Sequence, residues 1–287
     1  MRRLIFNADD FGLTAGINRS IVEACSGGVL TSATLMANAP ATAGAVELAR
    51  LHPALSVGCH VVLVDGSPLT DPARLPSLVP HGTSHFRTSL ADLTARALTS
   101  RLDRDQIESE ATAQFRKLQG AGISLTHFDT HKHAHMYPAV LEGLLRAART
   151  CGVPALRNPF EPLQSVYAIL SQSRTQWKRS LQTRALRLLR DRFTRLVRRS
   201  GLRTTDGTVG IAATGSLNSK RLAHIIEHLP EGTWEFVCHP GYCDQDLRST
   251  QTRLVESRHV ELELLTSPDT RSLLERAGIL LISYAEL

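Results

Sequence analysis

At 287 residues, 42% of them apolar, the chain is long enough for one large α/β domain or two small ones and carries ample material for a packed core. Its formal net charge of +6 is local: between Arg174 and Arg203 stand 11 Lys/Arg and a single acid, Asp191, which leaves 22 basic and 26 acidic residues elsewhere. That balance excludes a basic nucleic-acid-binding face spread over the molecule.

The chain opens "MRRLIFNADD", basic and then apolar like the start of a signal peptide, but the apolar run stops at Asn7, Asp9 and Asp10. No later run has the length of a membrane span, so a cytoplasmic protein is expected. Five cysteines, without a C-x-x-C pair and mostly in apolar stretches, read as reduced core residues.

Short β-rich runs recur in chain order: "RRLIFNA", "LTSATLMAN" (30–38), "LSVGCHVVL" (55–63), "ISLTHFD" (123–129), "VPALRNP" (153–159), "WEFVCHP" (234–240) and "GILLISY" (278–284). Helical patterns separate most of them. Ala15 to Cys25 puts Ile17, Ile21, Val22 and Cys25 on one face; Asp105 to Leu118 runs into "GAG"; a third begins at Pro138 and stops at Gly152. Alternation of this kind predicts a parallel sheet covered by helices. Asp9 and Asp10, His60, the histidines from 127 to 135, Arg157 and His239 all fall in or just past the C-terminal halves of five of these strands, where α/β folds build their sites. One rim supplied by five strands predicts an irregular (β/α) barrel of about seven parallel strands, forming a single domain over 1–287. The Pro-, Gly- and Ser-rich stretch from Asp65 to Phe86 reads as a long loop over the site.

The stretch "THFDTHKHAHM" (126–136) places His127, Asp129, His131, His133 and His135 at every second position, which an extended chain would turn to one side. A solvated loop is the plain alternative for any one of them. Together they suggest one or two direct metal ligands, with the others orienting those ligands or touching substrate. "NADDFG" sets two carboxylates directly after the first strand. Adjacent residues of an extended chain point apart, so one of Asp9 and Asp10 is expected to bind metal while the other takes a proton. A helix N-terminus is the rival role. His60 in "VGCHVVL" is a core histidine or a ligand, Arg157 a surface cation or a site residue, and His239 in "VCHPG" a turn residue or a proton donor.

The basic segment, an insertion at about 165–205, reads "RTQWKRSLQTRALRLLRDRFTRLVRRSGLR". Trp177, Leu181, Leu188, Leu189, Phe193, Leu196 and Val197 form a rough helical stripe among arginines. Two readings follow. One is a surface helix packed on the barrel by that stripe; the other is an interfacial helix that meets anionic lipid through arginine and buries its apolar face in the bilayer.

"NADDFGLTAGINRSIVEACSGGVLTSATLMANAPA", "VGCHVVL", "THFDTHKHAHMYP", "LRNP" and "VCHPGY" resemble, in order, the successive motifs of YdjC-type carbohydrate deacetylases, from residue 7 to about 242. The basic insertion and the "DTHKHAHM" form are most similar to the branch associated with hopanoid biosynthesis. The resemblance implies a barrel enzyme that removes an N-acetyl group from an amino sugar with one divalent metal ion. It implies Asp10, His60 and His131 as ligands, Asp9 as general base, His239 as general acid, and Arg157 as the group that orients or tunes Asp9. Zinc is favoured by the ligand chemistry; iron, cobalt and manganese also suit it, and magnesium is less at home with imidazole. No individual role follows for His127, Asp129, His133 and His135. The implied substrate is the N-acetylglucosamine headgroup of a hopanoid glycolipid, met by peripheral contact at the inner face of the membrane, with a soluble chitooligosaccharide as the alternative and no nucleic acid. An amidohydrolase-type metalloenzyme would carry H-x-H on its first strand, where this chain has the Asp pair. A binding protein led by the basic helix would leave the strand-end residues without a use.

Overall fold

In the computed structural model, which describes residues 1–162 and 189–287, the first strand, β1 (Arg2–Phe11), is the central element. It pairs in parallel with β2 (Ser32–Leu35) near its C-terminal end, with β8 (Gly232–Cys238) along most of its length, and with β9 (Ile279–Leu281) at its start. From β2 the sheet continues through β3 (Ser56–Val61), β4 (Phe128–Thr130), β5 (Ala155–Leu156) and β6 (Arg203–Thr204); from β8 it continues to β7 (Gly207–Val209). Every pairing is parallel. The segment that follows β5 meets β7 from the other side, Thr208 N donating to Phe160 O at 3.2 Å, so the sheet is a nearly closed barrel.

The helices follow the strands as the periodicity predicts. After β1 comes α1 (Ala15–Gly27), opened by the Thr14 side chain, which accepts from Ile17 N, with Ile17 and Ile21 buried. Next are α2 (Thr42–Leu51), α3 (Leu90–Leu98), α4 (Arg104–Gly120) and α5 (Pro138–Cys151); Gly152 ends α5 at φ 69°, a left-handed cap suited to glycine. The segment between β3 and α3 is the expected long loop. Buried side chains of α4 stand in for a sheet partner along it: Glu110 accepts from Leu69 N and Thr70 N at 2.9 Å, and Gln114 exchanges bonds with both backbone groups of Val62.

One expectation is corrected. Of the seven strands read from periodicity, "GILLISY" lies outside the barrel path, where β9 pairs only with the first residues of β1; the path gains β6 and β7 instead. Those strands have two and three residues, too few to show a period. Of the basic segment, residues 163–188, including Trp177, Leu181 and Leu188, lie outside the described residues. Its described part forms α6 (Arg190–Ser200), with Phe193 and Val197 buried and Leu189 and Leu196 packed against the core. The described part of the stripe therefore faces the protein, as in the packed reading. Among the described residues no helix is long and apolar enough to cross a membrane. The remaining helices are α7 (Ser219–Glu227), α8 (Gln245–Ser249), α9 (Glu256–Thr266) and α10 (Pro268–Arg276). All five cysteines are free thiols.

Candidate active site

The C-terminal end of β1 does not keep the alternation of a strand. Asp10 sits at φ 66°, and the pairing with β2 shifts register between Ala8 and Phe11. Aspartate tolerates this left-handed conformation better than most residues. The consequence is that Asp9 and Asp10, which a regular strand would point apart, both face the same cluster.

Asp10 Oδ1 lies 3.6 Å from His60 Nε2 and 3.5 Å from His131 Nδ1, and the two ring nitrogens are 3.3 Å apart. Two atoms of a tetrahedral shell with bonds of about 2.0–2.1 Å stand roughly 3.3 Å apart, so this triangle has the size of one face around a zinc ion. The donor set fits too. His60 Nδ1 donates to Asp129 Oδ1 at 2.7 Å, which leaves Nε2, the atom facing His131, as the nitrogen that would ligate, in the carboxylate–histidine arrangement that orients metal ligands. Asp9, Asp10, Asp129 and Glu235 gather around two arginines, Arg157 and Arg258, and the surplus of negative charge over these two would be balanced by a divalent ion. The His60 ring registers it: burial disfavours its charged form, yet Asp129, Asp9 and Asp10 raise its pKa to about 9. Asp9, His60 and Asp129 also lie close enough to share an ion, but the Arg157 guanidinium already holds both of those carboxylates.

Arg157, just past β5 and fully buried, grips three acids. It makes a fork with Asp9 at 2.6 and 2.9 Å, reaches Asp129 at 2.5 Å, and donates from Nε to Glu235 at 2.8 Å. Burial pushes the Asp9 carboxyl up, but the charge and hydrogen bonds of Arg157 prevail and hold it well below the usual carboxylate range. His239, past β8, turns Nε2 toward Asp9 Oδ2 at 3.8 Å.

The histidine run is divided. Only Phe128–Thr130 is strand; Lys132 and His133 are left-handed at φ 56° and 53°, inside a tight turn over His131–Met136. The shared face expected of all five residues is lost after His131. His127 packs inside the barrel, stacked on Tyr284 at 3.7 Å with Nε2 3.0 Å from Asn7 Oδ1; Gly58 is required there, because a Cβ would stand 2.6 Å from the ring. His135 pairs with Thr130 Oγ1 at 2.7 Å and lies against Phe193 of α6, with His133 beside it. Asp129 orients His60.

Burial, first of all, keeps four of these rings neutral: His127 and His135 fall well below the ordinary range, His133 to about 3 and His239 to about 4. In the unfolded chain each takes up a proton near pH 6.5. Their stabilising contribution is therefore complete above that pH and is lost on acidification toward their folded values, at about 1.4 kcal/mol per pH unit for each ring. Glu261, raised to about 7 chiefly by burial, opposes this with one proton of the other sign. Denaturant titrations at pH 7, 6 and 5 are expected to show steep loss of stability; a flat profile contradicts neutral buried rings.

Four participants escaped sequence reading. Glu235 bonds Arg157 and accepts from Tyr284 Oη at 2.5 Å; its visible signal was a lone acid amid the apolar "WEFVC". Arg258 and Glu261, both buried on α9, reach Asp10 and the backbone N of His239. They share a face with Leu262 and Leu265, which was their signal.

Comparison places this geometry among known proteins. A family model described as YdjC-like protein matches residues 3–276. A carbohydrate deacetylase of Geobacillus stearothermophilus is 34% identical over 99% of this chain and 98% of its own, and one of Thermoanaerobacter pseudethanolicus is 29% identical over the whole of both. A crystal structure from Enterococcus faecalis V583, of a protein provisionally described as acting in cellobiose-phosphate cleavage, superposes with a TM-score of 0.77 at 26% identity, covering 99% of this chain and 98% of the other. With nearly its full length matched, the chain belongs to the YdjC-like protein family.

Proposed function

We propose that the protein hydrolyses the N-acetyl group of an acetylated amino sugar with the help of one divalent metal ion. The observation that carries this reading is the triangle of Asp10, His60 and His131 beside the Asp9–His239 pair, in a chain similar from end to end to carbohydrate deacetylases. Asp10, His60 and His131 would hold the ion, zinc by preference, which when bound supplies a polarised acyl carbonyl and a water of lowered pKa. Asp9, kept ionised by Arg157, takes the proton of the attacking water as the C–O bond forms. His239 arrives from a different strand and protonates the nitrogen as the C–N bond breaks. Arg157, buried from solvent, acts as a positioning residue through Asp9 and Asp129. Mass spectrometry of N-acetylated glycans and glycolipids after incubation is expected to show loss of acetyl groups that chelation stops and zinc restores. Failure of the metal-replete protein on every acetylated amino sugar overturns the reading.

Asp9→Asn removes a base while leaving the three ligands in place. Its expected phenotype is full metal content with turnover reduced by roughly 10²-fold or more. Loss of the metal instead would exchange the roles of Asp9 and Asp10.

The acceptor we propose is N-acetylglucosamine carried as the headgroup of a hopanoid glycolipid. The exposed face of α6 supports it: Arg190, Arg195, Arg198 and Arg199 point to solvent while the apolar stripe packs inward, so contact with a bilayer would be electrostatic. Each arginine near an anionic surface contributes about 1 kcal/mol, fading within a Debye length. The protein is therefore expected to bind anionic liposomes at low salt. Replacing Arg190, Arg195 and Arg198 with Gln should weaken that binding and turnover of the glycolipid, but spare turnover of a short soluble sugar. Equal losses on both substrates favour a soluble oligosaccharide.

A further inference from the structure

Among the buried polar atoms around the site that lack a hydrogen-bond partner, two belong to neighbouring side chains: His239 Nδ1 and Glu261 Oε1. Glu261, 2% exposed, already accepts from the backbone N of His239 at 2.5 Å through Oε2, which lies 4.0 Å from Nδ1 of the same ring. A buried donor and a buried acceptor left unpaired are each costly, and a bond between these two satisfies both. The opposite edge of the ring, Nε2, faces Asp9 Oδ2 at 3.8 Å. The imidazole thus stands between two carboxylates, one on the floor of the site and one on α9.

We propose that Glu261 is the positioning residue of His239: its carboxylate accepts a hydrogen bond from Nδ1–H, fixes the Nε2 lone pair toward Asp9, and offsets the charge of the imidazolium that forms in turnover. This rests on the deacetylase reading. A ring that is neutral at rest has no spare proton for an amine, so the proton must come from the attacking water. That water gives one proton to Asp9 and its oxygen to the acyl carbon. The proton passes from Asp9 to Nε2 and on to the nitrogen as the C–N bond breaks, leaving the amine and acetic acid, which gives up its remaining proton to solvent. The Nδ1 proton stays shared with Glu261 throughout, as in other carboxylate-held histidines. On this account α9 serves both halves of the site, Arg258 bracing Asp10 and Glu261 bracing His239.

Long-range ¹H–¹⁵N spectra of the imidazoles in the purified protein at pH 8.5, where Glu261 is ionised, test the contact without reference to activity, with His239 assigned by its loss in His239→Gln. The expected result is His239 protonated on Nδ1. In Glu261→Gln, kcat on an N-acetylated sugar should fall by about 10²-fold while KM and bound metal are unchanged, and Glu261→Asp should recover part of the loss. A proton on Nε2 in the parent, or an unchanged kcat in a folded Glu261→Gln protein, overturns the proposal. A parent protein protonated on Nδ1 but inert toward acetylated sugars supports the contact and overturns the deacetylase reading instead.

Discussion

His60→Ala, His131→Ala and Asp10→Ala proteins are each expected to fold, to lose bound metal, and to turn over acetylated sugar at least about 10³-fold more slowly, the equivalent of the several kcal/mol a metal supplies to such a reaction. The folding half of the expectation rests on position. The three side chains lie at or just past strand ends, and none belongs to the hydrophobic core. His131, the most exposed of the three at 22%, should cost least in stability. Removing the His60 ring leaves Asp129 with Arg157 and Thr34 as partners, whereas Asp10→Ala leaves Arg258 buried without its acid, so the Asp10 variant should be the least stable. Elemental analysis beside a melting curve checks both halves. Full metal occupancy in a folded His131→Ala protein would remove that residue from the ligand set.

Arg157→Met is expected to cost more than any single ligand. The guanidinium is fully buried, and its loss leaves Asp9, Asp129 and Glu235 facing one another, a change that in buried ion pairs costs about 3–5 kcal/mol. Without its partner the Asp9 carboxyl should rise toward and past the ordinary range, because burial alone pushes it upward. Activity should therefore fall with stability, and fall further at low pH as Asp9 becomes protonated. Arg157→Lys keeps a charge but not the fork, so partial recovery of stability with poor recovery of activity is expected. Equilibrium denaturation and a pH–rate profile read the two effects. A stable, active Arg157→Met protein would return this arginine to a bystander.

The chain by itself determined the parallel α/β class, most of the strands, the long loop after β3, and which strand ends carry polar residues. These are local matters: alternation and 3.6-residue periodicity are set by burial of side chains near in sequence, and the caps at Thr14 and Gly152 act within a turn. Tertiary structure alone decided three others. Asp9 and Asp10 came to one cluster because Asp10 adopts a left-handed backbone where the ladder to β8 has ended and the register with β2 shifts, a choice that no spacing announces. The histidine run, uniform in sequence, was divided by the turn at Lys132 and His133, which sends His131 to Asp10 and His135 to Phe193. Finally, Arg258 and Glu261, more than 240 and 20 residues from the groups they touch, entered the site on α9. Charged residues on a helix face read as solvent-facing until the element that covers them is known, and only the closing of the sheet supplied it.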